Sequence, residues 1–254
     1  MDLSMFSLEG KVALVTGASR GLGMAMSISL ANAGADICGV ASKGEFNSVS
    51  QAVKKTGQRF YGIKADLLKM ESISKIVKET YEHFGKIDIL INDAGIIRRD
   101  LILKFSEKDW DDVMNLNVKA AFFLAQEVAK LFEEQKTGGK IINICSMLSF
   151  QGGLYIPSYT ASKSALLGIT RSMANELAAK NINVNAIAPG YIKGRGNKAI
   201  RDDPKRNKEI LSRIPTGRWG DPKDLSGIVV FLASSASNYC NGGIYPVDGG
   251  WLAR

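Results

Sequence analysis

Short, almost continuously apolar segments alternate with longer helical patterns along nearly the whole chain. The apolar segments are KVALVT, ADICGVA, RFYGIKA, IDILIND, GKIINIC, INVNAIA and GGIYPV, at residues 11–16, 35–41, 59–65, 87–93, 139–145, 182–188 and 242–247. Helical patterns lie between them, at 22–34 and at about 47–55, 70–84, 107–135, 157–180 and 222–234. This alternation predicts parallel strands joined by right-handed crossovers, with helices on both faces of the sheet. We therefore predict one doubly wound α/β domain of about seven strands, spanning residues 1–254.

A glycine-rich turn, VTGASRGLG, connects the first strand to the first helix. It places Gly17, Gly21 and Gly23 where the backbone must turn sharply. Free N–H groups and the helix dipole at such a helix N-terminus favour the binding of an anion. The spacing is GxxxGxG rather than the GxGxxG of the usual fingerprint. The turn predicts a Rossmann-like fold with a dinucleotide bound over this loop.

A tyrosine and a lysine lie four residues apart in the helical pattern at 157–180. Tyr159 and Lys163 should share one face of that helix. A lysine ammonium beside a phenol favours the phenolate, so Tyr159 could give a proton to a carbonyl oxygen and take it back. Tyr155 precedes Pro157 and should lie in the preceding loop, lining a substrate pocket. Tyr159 is therefore the candidate acid, with Ser146 at the end of the strand GKIINIC as its partner.

Motifs along the whole chain resemble those of the short-chain dehydrogenase/reductase family. They are TGASRGLG, NDAG at 92–95, MNLNVKAAF with Asn117, the Ser146–Tyr159–Lys163 spacing, NVNAIAPGY and VDGGW. The resemblance implies a catalytic set of Asn117, Ser146, Tyr159 and Lys163, in which Ser146 binds the reacting oxygen and Asn117 holds a water that links Lys163 to solvent. It also implies a nicotinamide dinucleotide bound by Gly17, Ser19, Arg20, Gly21, Leu22, Gly23, Ser42, Lys43, Asp66, Leu67, Asn92, Ala94, Gly95, Tyr159, Lys163, Pro189, Gly190 and Ile192.

The choice between NAD and NADP depends on the end of the second strand. Enzymes that prefer NAD usually carry an acidic residue there for the ribose hydroxyls. This chain has Ala41-Ser42-Lys43, and Asp36 is too early, which suggests a turn residue. Arg20 and Lys43 could hold a 2′-phosphate, so the residues alone slightly favour NADP. The closer resemblance described next implies NAD; we therefore expect NAD and leave NADP open.

Further segments resemble one branch of that family, the 2-dehydro-3-deoxy-D-gluconate and gluconate 5-dehydrogenases. They are FSEKDWDDVMNLNVK, GGKIINICSMLSFQGG, PSYTASKSA, RIPTGRWGDPKDL, FLASSASNY and VDGGWLAR. The resemblance implies reduction of 2,5-diketo-3-deoxygluconate to 2-keto-3-deoxygluconate in uronate degradation. Gluconate 5-dehydrogenation is the alternative within the branch. A 3-oxoacyl-carrier-protein reductase on the same fold and an inactive binding module are alternatives outside it.

An anionic sugar acid needs a cation for its carboxylate and polar groups for its hydroxyls. The candidate cations are Arg98 and Arg99, just after NDAGII, and Lys193 with Arg195 after the sixth strand. Arg98 and Arg99 could equally be surface charges or subunit contacts. The candidate polar groups are Ser146, Gln151 and Tyr155.

The segment at about 190–215 has no clear pattern and is the candidate substrate lid. Residues 193–208 include seven basic residues and only two acidic ones, Asp202 and Asp203. This segment therefore supplies +5 of the chain's net charge of +8. Two interpretations remain open, a solvated helix with scattered lysines or a lid over an anionic small molecule. Two positions depart from the family, because Gly194 stands where a threonine is usual and Asp93 replaces the second asparagine of NNAG.

Several classes of protein are disfavoured by the sequence. Cys38, Cys145 and Cys240 lie far apart, which argues against a disulfide framework, and no metal site is expected. No apolar run approaches the roughly 20 residues of a membrane span and no signal peptide is evident, so we expect a soluble cytoplasmic protein without membrane contacts. The basic segment lacks interleaved aromatics, so no nucleic-acid partner is expected. The one histidine, His83, should lie on the surface at a helix end, which disfavours a histidine-based triad.

The resemblance also implies an assembly. Members of the family are commonly homotetramers that pack the long helices, here at about 107–135 and 157–180. The C-terminal segment would then place Trp251 or Arg254 near the pocket of another subunit.

Overall fold

A computed structural model describes residues 3–253, which fold around one parallel sheet of seven strands. The strands are β1 (Val12–Thr16), β2 (Asp36–Ala41), β3 (Phe60–Lys64), β4 (Ile89–Asn92), β5 (Gly139–Ile144), β6 (Ile182–Pro189) and β7 (Ile244–Val247). Their order in the sheet is β3-β2-β1-β4-β5-β6-β7, and every neighbouring pair is parallel. The predicted doubly wound sheet is confirmed. The order reverses between β1 and β4, which is the crevice where open α/β sheets bind ligands.

Helices cover both faces of the sheet. They are α1 (Gly21–Asn32), α2 (Asn47–Lys54), α3 (Glu71–Phe84), α4 (Glu107–Met114), α5 (Ala121–Gln135), α6 (Pro157–Leu177), α7 (Lys198–Asp202), α8 (Pro204–Arg213) and α9 (Ser226–Ala233). α3, α5 and α6 bury one apolar cluster, centred on Phe132 and Leu124. α1, α2 and α9 bury the other, centred on Met26 and Leu30. Because both faces are covered, β1 is buried at all five positions, as its continuous apolar sequence requires.

The long helical pattern at 107–135 contains an irregular turn. α4 and α5 are joined by a π-helical segment, Asn115–Ala120, so the chain remains helical while its repeat widens. Such wide turns are frequent at functional sites because they displace one side chain from the regular helix face. Asn117 lies within it and is buried.

The lid at 190–215 is more regular than its sequence suggests. It contains α7 and α8, which corrects the expectation of an irregular segment. Asp203 caps α8 by accepting hydrogen bonds from the backbone N–H groups of Lys205 and Arg206 at 3.0 and 3.1 Å, and Pro204 occupies its first turn. The many basic residues obscured a narrow apolar stripe in this part of the sequence. Ile210 belongs to that stripe, and its side chain is only 3% exposed.

The lid is docked on the rest of the chain by an apolar cluster. Buried in it are Met147, Leu148, Ile210, Ile214, Trp219 and Trp251. The Trp251 ring lies 4.9 Å from the ring of Tyr191, centroid to centroid. Trp251 thus packs within its own chain, and Arg254 lies outside the described residues.

Two further expectations from the sequence, for Asp36 and for His83, can be compared with the structure. Asp36 begins β2 instead of occupying a turn, and its carboxylate binds Arg59, whose guanidinium nitrogens lie 2.6 and 2.9 Å away. It is held at the edge of the sheet opposite the strand ends that form the site. His83 is exposed in the last turn of α3 and stacks on Tyr61 at 4.0 Å, as its predicted surface position allows.

The amino ends of the strands form a second polar edge. Lys140, at the start of β5, donates hydrogen bonds to Asn183 and Asn238, both at 2.8 Å. Burial, assisted by Lys11, lowers the pKa of Lys140 to about 8. This edge lies across the sheet from Ser146, which follows the carboxyl end of the same strand.

Within residues 3–253 no helix is both long and apolar enough to span a bilayer. In the same range, no three His, Cys, Asp or Glu side chains are grouped to hold a metal ion. The three cysteines are free thiols, with Cys38 and Cys145 buried.

Candidate active site

Two cavities meet at the carboxyl ends of the central strands. The first, here called the glycine-loop cavity, has a volume of about 360 Å³. The second, the tyrosine cavity, measures about 230 Å³. The glycine-loop cavity is lined chiefly by Gly17, Ser19, Arg20, Ser42, Asp66, Leu67, Asp93, Ala94 and Gly95. The tyrosine cavity is lined chiefly by Gly21, Leu22, Asp93, Gly95, Ser146, Tyr159, Lys163, Pro189, Gly190, Ile192 and Lys193.

The tyrosine cavity brings together the serine, tyrosine and lysine that the sequence singled out. α6 begins at Pro157, so Tyr159 lies in its first turn and Lys163 one turn later. The Lys163 ammonium lies 5.6 Å from the centre of the Tyr159 ring. Ser146 follows β5 and begins a short 3-10 turn, Met147–Ser149. Ser146, Tyr159 and Lys163 therefore form one cluster that faces one cavity, as their spacing in the sequence predicted.

Hydrogen bonds fix the position of this cluster. The Lys163 ammonium donates to the Ile144 carbonyl at 2.6 Å, which ties α6 to β5. The Ser149 hydroxyl donates to the Lys163 carbonyl at 2.7 Å and accepts from the Ser146 N–H at 3.3 Å. Ser146 accepts a reciprocal bond from the Leu148 N–H at 3.2 Å, which makes a capping box. These hydrogen bonds thus fix the backbone that carries Ser146 and Lys163.

Asn117 braces the loop that follows β4. Its side chain accepts from the Ile96 N–H at 2.9 Å and donates to the Ile96 carbonyl at 3.0 Å. It also donates to the Ser162 hydroxyl at 3.1 Å, beside Lys163 in α6. Asn117 therefore connects the wide turn after α4 both to the loop after β4 and to α6.

The NDAG turn after β4 is hydrogen-bonded to the end of β1, just before the glycine loop. The Thr16 hydroxyl accepts from the N–H groups of Asp93 and Ala94, both at 3.0 Å. Asn92 turns inward, donating to Asn143 at 3.0 Å and to the Ala121 carbonyl at 3.1 Å. The turn and the glycine loop are thereby fixed as one surface.

The glycine loop packs closely against the start of α1 only because Gly23 lacks a side chain. A methyl group at Gly23 would lie 2.5 Å from the Gly17 carbonyl oxygen, far inside contact distance. Gly17 itself has a φ of +70°, which glycine adopts without strain. α1 begins at Gly21, so its first N–H groups face the junction of the two cavities. The residues present fit a dinucleotide whose diphosphate lies over this loop.

Most residues predicted to hold the cofactor line one of the two cavities. Three do not. Gly23 supports the loop from behind, Lys43 is exposed after β2, and Asn92 is committed to Asn143.

The residues predicted to bind substrate are dispersed. Lys193 and Ser146 line the tyrosine cavity. Arg98 lines the glycine-loop cavity and is paired with Asp109 at 3.1 Å and Asp112 at 3.2 Å. Arg99 donates to the Gly196 carbonyl in the lid at 3.1 Å.

The other two predicted substrate residues lie before α6. Gln151 is partly buried, and Tyr155 is 57% exposed with a left-handed φ of 66°. The Tyr155 carbonyl accepts from the Asp100 N–H at 3.0 Å, so its backbone steadies the loop of Arg98 and Arg99. Neither side chain lines the tyrosine cavity.

Arg195 lies on the cofactor side of the lid. It lines a third cavity of about 360 Å³ together with Ser19, Arg20 and the start of α2. The lid therefore lines two cavities, the tyrosine cavity through Lys193 and the third cavity through Arg195.

Sequence reasoning missed the residues that support the site from within. Asn143 accepts from Asn92 and donates to Thr170 at 2.9 Å, joining β4, β5 and α6 through a buried polar chain. An asparagine inside the apolar strand GKIINIC was the available signal, because buried polar groups need partners. Ser149 and Ser162 gave no comparable signal.

The sheet, the glycine loop and the Ser146–Tyr159–Lys163 cluster together define a dinucleotide-dependent oxidoreductase. A family model described as enoyl-(acyl carrier protein) reductase matches residues 17–252. The chain belongs to the short-chain dehydrogenase/reductase family, as its motifs indicated. It is 58% identical over 254 residues to the 2-dehydro-3-deoxy-D-gluconate 5-dehydrogenase of Escherichia coli, with both chains covered completely.

Solved structures agree with the fold and with the cofactor class. A putative 2-deoxy-D-gluconate 3-dehydrogenase from Agrobacterium tumefaciens with bound NADP is 48% identical, with a TM-score of 0.92 over 98% of this chain and 99% of that one. A gluconate 5-dehydrogenase from Burkholderia cenocepacia in complex with NADP and tartrate is 35% identical, with a TM-score of 0.94 over 99% of both chains. The protein is an NAD(P)-dependent oxidoreductase.

Proposed function

We propose that the protein reduces a ketone of an anionic sugar acid, with 2,5-diketo-3-deoxygluconate reduced to 2-keto-3-deoxygluconate. The observation that carries the proposal is that the tyrosine cavity holds Ser146, Tyr159, Lys163 and the lid cation Lys193 together. A substrate carbonyl can lie at Ser146, Tyr159 and Lys163 while the substrate carboxylate pairs with Lys193. The name of the E. coli relative supports this substrate.

Tyr159 is the proton donor in this proposal. The bound nicotinamide supplies the hydride. Tyr159 gives its phenolic proton to the carbonyl oxygen, and Ser146 donates a hydrogen bond to the same oxygen. Lys163, held by the Ile144 carbonyl, favours the phenolate that remains. The same groups run the oxidation in reverse.

Lys193 is the proposed partner of the substrate carboxylate. Its side chain is exposed on the cavity, while its backbone N–H is fixed to the Gly220 carbonyl at 2.8 Å. Arg98 is less suitable because two aspartates already neutralise it, and Arg99 is occupied by the lid backbone. The B. cenocepacia relative was solved in complex with tartrate, itself a hydroxy acid.

NADP is the proposed cofactor, which revises the expectation of NAD. Residues 42–44, directly after β2, include no acid, and Ser42 lines the glycine-loop cavity. The next acidic residue, Glu45, lines the adjoining cavity. Arg20 and Arg195 line the adjoining cavity, where a guanidinium can bind a phosphate with two parallel hydrogen bonds. Both solved relatives described above hold NADP.

We further propose a cytoplasmic homotetramer packed through α5 and α6. In its support, aromatic side chains are exposed on the same long helix, with Trp110 on α4 at 41% and Phe123 on α5 at 37%. Trp251 takes no part, because it is buried in its own chain.

The test is to follow the absorbance of the reduced cofactor with 2,5-diketo-3-deoxygluconate, supplying NADPH and NADH in parallel. We expect a higher kcat/KM with NADPH and loss of that preference in Arg20→Ala. A preference for NADH would overturn the cofactor proposal and keep the substrate. No turnover of this substrate, with turnover of gluconate or of a 3-oxoacyl thioester, would overturn the substrate and keep the family chemistry.

A further inference from the structure

Asp93 stands at the junction of the two cavities. Among the described residues, only Asp93 and Gly95 line both the glycine-loop cavity and the tyrosine cavity. A dinucleotide that places its adenosine in one cavity and its nicotinamide in the other must cross at this point. Asp93 is also the position where this chain departs from the NNAG pattern of its family.

The Asp93 carboxylate points at the glycine loop. Its Oδ2 lies 3.0 Å from where a methyl group at Gly17 would be, and 2.8 Å from where one at Gly23 would be. The Gly23 N–H, in the first turn of α1, interacts with this carboxylate. A carboxyl group therefore lies against the glycine loop, at the helix N-terminus that favours anions.

The surroundings disfavour charge on Asp93. Burial raises its pKa to about 7, against the opposing effects of Lys163 and the Gly23 N–H. Its backbone N–H donates to the Thr16 hydroxyl at 3.0 Å, which fixes the Asp93 backbone at the junction. Near neutral pH the carboxyl group is thus poised between its two protonation states.

The charged and titratable groups that share the cavities with Asp93 come from every element around it. In the glycine-loop cavity they are Arg20, Asp66 and Arg98. In the tyrosine cavity they are Cys145, Tyr159, Lys163 and Lys193. Arg98 is already paired with Asp109 and Asp112, so Lys163 is the cation that acts on Asp93.

We propose that Asp93 couples dinucleotide binding to protonation, its carboxyl group taking up one proton from solvent when the cofactor's diphosphate lies over the glycine loop. An ionised Asp93 would repel the diphosphate across this short distance, whereas the protonated acid can donate a hydrogen bond to it. The proposal concerns the cofactor alone and holds whichever sugar acid is the substrate.

The direction of the pH effect follows from linkage. Below the pKa of Asp93 in the free protein the proton is already present, so binding takes up none and the Kd does not change with pH. Above it the proton must be acquired, so the Kd for the cofactor rises with pH, by up to about tenfold per pH unit. Alkaline conditions weaken binding, and mildly acidic conditions do not.

The test is to titrate the protein with NADPH, following the fluorescence of the reduced nicotinamide, from about pH 6.5 to about pH 9. Asp93→Asn keeps the shape of the side chain and removes the titration. We expect the ratio of the wild-type Kd to the Asp93→Asn Kd to be smallest at the acidic end and to grow about tenfold per pH unit above neutrality. A ratio that stays constant with pH would overturn the proposal. It would mean that the substitution acts through a charge on Asp93 that does not titrate, or through a change in the shape of the site.

Proton uptake is measured directly by calorimetry. NADPH binding at about pH 8.5, in two buffers of different ionisation enthalpy, should take up close to one more proton in the wild type than in Asp93→Asn. Asp111→Asn, an exposed carboxylate on α4, is the matched control and should behave as the wild type. If the Asn variant does not fold, the wild-type measurement still decides, and no uptake would sink the idea.

Discussion

At the scale of single residues, Tyr159 and Tyr155 are the informative pair. Both lie close to the start of α6, yet Tyr159 lines the tyrosine cavity and Tyr155 is 57% exposed in the loop before it. The difference is four residues of sequence. One residue is inside the helix that carries Lys163, and the other precedes Pro157, where that helix begins.

Tyr159→Phe should therefore abolish turnover while leaving cofactor binding intact. Removing a positioned general acid costs about 10²–10⁴ in rate, and a phenyl ring fills the same space. The measurement is kcat together with the Kd for NADPH. Tyr155→Phe, the matched control, should retain most of the activity. Comparable losses in both variants would contradict the assignment.

Lys193→Met should weaken substrate binding. The side chain keeps its length and loses its charge, so the KM for the sugar acid should rise about tenfold or more, the usual effect of losing one charged hydrogen bond. The KM for the cofactor should stay unchanged. Lys198→Met, which removes a lid lysine already paired with Asp202, is the control. An unchanged substrate KM in Lys193→Met would assign the carboxylate to another group.

The meeting of Ser146, Tyr159 and Lys163 at one cavity could be predicted from the sequence, and the residues that support them could not. Ser146, Tyr159 and Lys163 are revealed by spacing, because chain distance fixes their place on a strand end and on a helix face. Arg98 could not be judged in this way. Its two partners, Asp109 and Asp112, lie on a separate helix, and only the folded loop brings them together.

At the scale of elements, the lid is a helical unit attached by apolar contacts. α8 buries Ile210 against residues that follow β5 and against the C-terminal Trp251. Hydrogen bonds secure the segment before it, since Asn197 donates to the Ile192 carbonyl at 2.6 Å and Arg201 to the Gly194 carbonyl at 3.0 Å. The cation over the tyrosine cavity thus depends on packing elsewhere.

Ile210→Ala should loosen the lid. Such large-to-small changes cost about 2–5 kcal/mol, and here the loss falls on the contact that docks α8. We expect faster tryptic cleavage within the lid and a higher substrate KM. Ile73→Ala, the same change at an equally buried position of α3, is the control. It should lower the free energy of unfolding without exposing the lid. Equal cleavage of the lid in both variants would count against a separately docked element.

The strands were easier to predict than the lid for a physical reason. Strands covered on both faces must be apolar throughout, so their sequences stand out. α8 packs only one narrow face, and its solvent side carries Lys205, Arg206 and Lys208. The many charged residues made the apolar stripe of α8 hard to recognise in the sequence, although the Asp203-Pro204 cap could be seen there.

At the scale of the whole molecule, the parallel sheet gathers the chemistry at one edge. Ser146, the glycine loop and the NDAG turn all follow the carboxyl ends of neighbouring strands, because parallel strands point the same way. Residues separated by more than a hundred positions, such as Gly17 and Lys193, therefore line adjoining cavities.

The proposed assembly predicts a mass in solution of about four times the chain mass of 27.5 kDa. Analytical ultracentrifugation would measure it. Phe123→Glu, which places a charge on the exposed side of α5, should shift the mass towards smaller species. Tyr81→Glu, at a similarly exposed aromatic on α3, should not. A monomer in the wild type, or equal shifts in both variants, would refute packing through α5.

The amino edge of the sheet has a practical consequence for chemical labelling. Because the pKa of Lys140 is lowered to about 8, its amine is more often uncharged near neutrality than that of an ordinary lysine, and uncharged amines react with activated esters. The amine is half-buried in a cavity of about 470 Å³, which admits a small reagent and excludes a solid support. A small activated ester supplied at mild pH would therefore mark the edge of the sheet that lies opposite the two cavities.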